Sequence, residues 1–228
     1  MQPVTLPAAR GKAREVAFRI LGPDGRPLTA YQPAQTKLLH LYALRDDLSG
    51  YQHLHPVLTG DLWTARLDIA DGGSYRLYAE FTPVVTGGAG HATTLGVAFV
   101  IPGDTRLAAL PAPAAASSSG GLTVTRLDGT AMLREDRPTL LRFAVTDASG
   151  AAVTALEPYL GSLSHMSAFS ARDQSLSHVH APLASAAVSS DGTLMFHVQF
   201  ADRGEQRLFL EYQVAGTVRQ AAFTVFVT

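Results

Sequence analysis

KLLHLYALRDDLSGYQHLHP, residues Lys37–Pro56, returns as SLSHMSAFSARDQSLSHVHAP at Ser162–Pro182. His40, His53 and His55 in the first copy match His165, His178 and His180 in the second, at one spacing. Six of the eight histidines thus fall into two H-x12-H-x-H triads. The match extends outward from them. With an offset of 125, Phe18 answers to Phe143, Gly25 to Gly150, Pro33 to Pro158 and Leu38 to Leu163. After a six-residue insertion the offset becomes 131, and IADGGSYRLYAEF at 69–81 faces FADRGEQRLFLEY at 200–212. A whole unit is written twice, so reading one copy reads both.

That unit reads as β-structure. Residues 15–21 (EVAFRIL) alternate and stop at Gly22-Pro23-Asp24-Gly25, a strong turn signal. The short apolar runs 37–44 and 51–58 are joined by a polar Arg-Asp-Asp-Leu-Ser-Gly connection. Trp63, Ala65, Leu67 and Ile69 alternate with polar residues, as do Tyr75, Leu77, Ala79 and Phe81, and LGVAFVI at 95–101 closes the series. Six or seven short strands with no helical period predict an antiparallel, immunoglobulin-like sandwich. The expected fold is all-β, with two tandem β-sandwich domains from an internal duplication. Residues 1–107 form the first domain and 122–228 the second. Between them AALPAPAAASSSGG, 108–121, is too small and Pro/Ala/Ser/Gly-rich to build a core and reads as linker.

Composition narrows the function. Net charge is −1, which leaves no electrostatic basis for a nucleic-acid partner or an anionic membrane surface. No apolar run nears the ~20 residues needed to span a bilayer. There is no cysteine, so thiolate sites and cysteine nucleophiles are out and any metal takes N and O ligands. Residues 1–15 lack the apolar segment of a signal peptide. The expectation is an extracytoplasmic protein whose sequence begins after a cleaved leader, with Met1 added.

The triad spacing suits an ion. In a strand, residues i and i+2 share a face, which puts His53 and His55 side by side. If 37–44 and 51–58 pair as an antiparallel hairpin with the right parity, His40 joins them from the neighbouring strand. An ion at ~2.0–2.1 Å from each imidazole nitrogen would fit between, with a fourth position open. Three neutral imidazoles favour copper or zinc over magnesium or calcium. Parity is the same for His165, His178 and His180. His91, in a Gly-rich loop, could add a fourth ligand to the first site only. Because binding needs neutral rings, it is expected to weaken below about pH 6.

The alternative is an interaction module whose histidines only pack among Leu38, Tyr42, Leu44 and Tyr51, presenting a surface to another extracytoplasmic protein. Asp46 and Asp47 read as turn residues, with a lesser prospect as carboxylate partners of an imidazole. No nucleophile elbow or phosphate-cradling loop occurs, so no enzyme activity is expected.

K-h-h-H-h-h…D-L-x-x-x-x-H-h-H-P (h, hydrophobic), followed by G-G-x-Y-x-L-x-x-x-F-x-P, resembles bacterial secreted or lipid-anchored proteins of the YtkA-like, heavy-metal-associated kind. The segments concerned are Lys37–Pro56 and Gly72–Pro83, and Gly161–Pro182 and Arg207–Val225 resemble its companion module. The resemblance implies an immunoglobulin-like or cupredoxin-like sandwich outside the cytoplasm, handling a heavy metal such as copper through His40, His53, His55, His165, His178 and His180. Ala181 stands where that motif has proline.

Overall fold

The computed structural model describes residues 1–85, 88, 90–177, 179–180 and 192–228, with the backbone alone for His180. The chain divides into two compact units, Met1–Ala109 and Leu110–Thr228.

Among its described residues the first unit holds nine strands: β1 (Gln2–Thr5), β2 (Gly11–Arg19), β3 (Tyr31–Gln32), β4 (Leu39–Arg45), β5 (Gln52–Leu54), β6 (Val57–Thr59), β7 (Leu62–Ile69), β8 (Gly73–Pro83) and β9 (Thr93–Ile101). One sheet runs β1-β2-β7-β6; in the other, β5-β4-β8 continues to β9, and β3 also pairs with β8. All pairings are antiparallel. This is an immunoglobulin-like sandwich. The alternation read from the sequence decides which face each strand buries. Val16, Phe18, Trp63, Leu67 and Ile69 from one sheet meet Leu39, Leu41, Ala43, Leu77, Ala79 and Phe81 from the other. Trp63 is fully enclosed, and its indole N–H donates to the Tyr31 hydroxyl at 3.1 Å, so its one polar atom is satisfied.

The apolar run 51–58 does not make one strand. It breaks at His55-Pro56, with β5 in one sheet and β6 in the other. Pro56 has no N–H to continue a ladder, so the chain leaves the first sheet there.

The second unit repeats the plan with β10 (Ala116–Ser119), β11 (Leu122–Arg126), β12 (Thr139–Thr146), β13 (Ser164–Ser170), β14 (Leu176–Ser177), β15 (Val179–His180), β16 (Thr193–Val198), β17 (Gly204–Val214) and β18 (Thr217–Val227). Its sheets run β10-β11-β12-β16-β15 and β14-β13-β17-β18. Phe143, Phe196 and Phe223 pack at its centre, with ring centroids 6.0 and 5.2 Å from Phe143. β4 and β13 coincide to the residue at the offset of 125, and β8 and β17 at 131. One expectation needs correction. Part of the stretch 108–121, read as linker, is a strand: Ala116–Ser119 turns at Gly120-Gly121 and pairs with β11. Small side chains cannot build a core, but ladder hydrogen bonds need only backbone.

Candidate metal centre

His40 sits on β4, between residues that fill the core. Leu39 and Leu41 point into the sandwich, so His40 and Tyr42 point to the outer face of the sheet. β5 pairs with β4 in the register Leu41↔Leu54 and Tyr42↔His53. That parity puts His53 on the same outer face, and His55 follows two residues on. The three rings converge. His40 and His53 lie 5.2 Å apart between centroids, His40 and His55 5.2 Å, and His53 and His55 4.7 Å. One ring nitrogen from each lies within 4.8 Å of the other two.

A strained turn holds the first ring. Ala34 and Lys37 exchange backbone hydrogen bonds of 2.8 and 2.9 Å around Gln35 and Thr36, both left-handed at φ 46° and 68°. This two-residue loop suits the twist of the hairpin but is unfavourable for residues other than Gly, Asn or Asp, and most so for β-branched Thr36. The Ala34 carbonyl also accepts from His40 Nε2 at 3.1 Å, which leaves Nδ1 as the lone-pair side of the neutral ring. His40 Nδ1 lies 2.9 Å from His53 Nε2. Two nitrogens on a tetrahedral ion would stand ~3.3 Å apart, so a few tenths of an ångström separate this hydrogen bond from shared coordination. His55 Nε2 is buried and has no hydrogen-bond partner. An unsatisfied buried nitrogen costs on the order of 1–3 kcal/mol, a loss that ligation would remove.

Burial keeps His53 and His55 neutral. Burial, with the neighbouring His40, pushes His53 down to about 3, although the Glu80 carboxylate pulls the other way. Burial followed by His53, His40 and Lys37 pushes His55 down to about 3. The expected loss of ligand capacity near pH 6 is therefore displaced to lower pH, because burial penalises the imidazolium.

A residue that the sequence reading missed, Glu80, falls at the same place in the repeat as Glu211. Glu80 on β8 lies directly across from His40, and its Oε2 accepts from the Tyr42 hydroxyl at 3.0 Å. The Tyr42 ring stacks on His53 at 4.7 Å. The second unit keeps this register: His165 lies across from Glu211. His165 is buried on β13, with Nε2 3.3 Å from Ser167 Oγ. His178 and the His180 side chain lie outside the described residues. The His180 backbone pairs with His197 on β16.

Two expected contributors stand elsewhere. His91 is exposed ahead of β9 and is not part of the cluster. The strand order β9-β8-β4-β5 explains this, since three steps of ~4.8 Å separate β9 from β5. Asp47 is a structural anchor: it accepts from Arg45 Nη1 at 3.1 Å, Ser49 N at 3.0 Å and Ala108 N at 2.7 Å. Burial opposes its ionised form, but these hydrogen bonds and the Arg45 charge outweigh that and hold its carboxyl below the usual range.

No curated protein matches the chain in sequence. Among solved structures, similarity is distant. The Lin-41 filamin domain is 16% identical at a TM-score of 0.34, over 50% of this chain and 97% of that one. Yersinia pseudotuberculosis InvD is 16% identical at 0.31, over 100% of this chain and 57% of that one. Domains 4 and 5 of the S-layer protein SbsC are 10% identical at 0.30, over 93% and 80%. Likeness at this level carries no argument about what the chain does. A family model, by contrast, matches residues 4–98 and 116–228, nearly all of both units, and the chain belongs to that family, described as Domain of unknown function (DUF8832).

Proposed function

We propose that this protein binds a transition-metal ion, copper or zinc, through His40, His53 and His55, and that His165, His178 and His180 form the corresponding set in the second unit. The role is sequestration, delivery or sensing outside the cytoplasm, without catalysis. One observation carries the reading: three imidazoles converge on one face of a sheet, and one of them buries a nitrogen with no partner. Nitrogen donors of this kind suit copper and zinc and are poor ligands for magnesium or calcium. Glu80, across from His40 and tied to Tyr42, supplies negative charge near the ion.

The second reading is an interaction module in which the histidines only pack, and the His40–His53 and His40–Ala34 hydrogen bonds favour it, because each satisfies a ring without an ion. Titration of metal-free protein with Cu²⁺ or Zn²⁺ at neutral pH separates the two. Saturable binding that His53→Ala plus His55→Ala abolishes in the first unit supports the metal site; no saturable binding, or binding indifferent to that pair, leaves the packing role.

A further inference from the structure

We infer that β9 is a dimerisation edge, along which two copies of this chain pair their β9 strands antiparallel and join two sheets into one. A sheet edge presents a row of unpaired N–H and C=O groups, and proteins that stay monomeric blunt such edges with charge, proline, bulges or a covering segment. β9 carries no charge, proline or bulge, and among the described residues no strand covers its outer edge. Its sequence is TTLGVAFVI, and nine consecutive pairs join it to β8. Its outward side chains are exposed, Val100 at 65%.

The duplicate shows what a covered edge looks like. β18 occupies the same place in the second unit, and two segments of that unit lie along it. Ser117 Oγ accepts from Ala222 N at 3.2 Å, and Leu133 pairs with Val227 in parallel. Leu133 N donates to Phe226 O at 2.9 Å and Glu135 N to Thr228 O at 3.0 Å. β18 also carries Arg219. The same strand is thus guarded in one unit and, among the described residues, unpaired along its outer edge in the other.

A second copy fits the β9 edge better than an unrelated strand because β9 is complementary to itself. Pairing about a twofold axis at Val97 sets Gly96 against Ala98 and Thr94 against Val100 on the outer face, and Leu95 against Phe99 on the inner one. Facing is preserved on both sides, small residues meet at the centre, and no like charges oppose. The inference is independent of any metal.

Light scattering coupled to gel filtration, at about 100 μM of this chain, where a weak interface is still populated, tests it. The wild-type chain should run as a dimer. Thr94→Lys plus Val100→Lys, on exposed positions, puts two like-charged pairs across the axis and should give a monomer with unchanged melting temperature; Thr94→Glu plus Val100→Glu should do the same. An equimolar mixture of the two variants should restore the dimer. A wild-type monomer at that concentration, or a dimer that survives the lysine pair, overturns the inference.

Discussion

The two units share a backbone plan to the residue at β4/β13 and β8/β17, and they differ in what surrounds the first histidine of each. In the first unit an aromatic ring, Tyr42, stacks on His53; the second has Ser167 at that place, with its hydroxyl near His165. The hairpin ahead of each histidine also differs. Gln35-Thr36 occupy left-handed positions in the first copy, and Leu160-Gly161 in the second, at φ 54° and 77°. A third contrast lies in the turn after the strand. Arg45 and Asp47 form a buried ion pair, whereas their counterparts are Ser170 and an exposed Arg172. Duplication preserved register, which depends on the ladder, and let side chains diverge wherever the ladder does not need them.

Each contrast can be broken. Asp47→Ala leaves the Arg45 guanidinium buried without its carboxylate and should cost about 3–5 kcal/mol in urea unfolding of the first unit. Arg172→Ala, on its exposed counterpart, should cost less than about 0.5 kcal/mol. Equal losses from the two would remove the distinction between buried and exposed turns. Metal comes next. With free Zn²⁺ or Cu²⁺ a hundredfold above Kd, the first unit should gain about 2.7 kcal/mol, and His53→Ala plus His55→Ala should erase that gain. Thr36→Gly relieves the left-handed β-branched position and should stabilise the first unit by about 1 kcal/mol, while Gly161→Thr should destabilise the second by a similar amount. Opposite signs in the two thermal melts are the outcome to look for.

The last prediction concerns pH. His53 and His55 are held at about 3 in the folded chain, below the ordinary value of about 6.5. Between those values the unfolded chain takes up protons that the folded one refuses. Stability of the metal-free first unit should therefore be full above about pH 6.5 and fall as pH drops towards 3. The His53→Ala plus His55→Ala variant should show a shallower fall over the same range. An identical slope in both would mean that other groups set it.

Much of this was legible in the sequence, because period and parity are local properties. The alternation of Trp63 to Ile69 and Tyr75 to Phe81 placed the core faces, and H-x-H together with the short connection placed three rings on one side. What escaped depended on strand order or burial. His91 looked available because it lies in a loop near β8 in sequence, yet β9 sits three strands from β5. Glu80 was visible as a shared residue, but only the β4–β8 register shows that it faces His40. The run 51–58 gave no sign beyond Pro56 that its two ends serve different sheets. The depressed pKa values of His53 and His55 follow from how deeply the folded chain encloses them, which no spacing encodes.

The bond from His40 to the Ala34 carbonyl has one more consequence. It commits Nε2 of that ring to the protein, so His40 can turn only its Nδ1 towards the space between the rings, where His53 directs Nε2. Without an ion both His40 and His53 carry their proton on Nε2, the first donating to Ala34 and the second to His40 Nδ1. An ion held by His40 Nδ1 and His53 Nε2 would move the His53 proton to Nδ1, a change of tautomer that nitrogen NMR of the two rings would register.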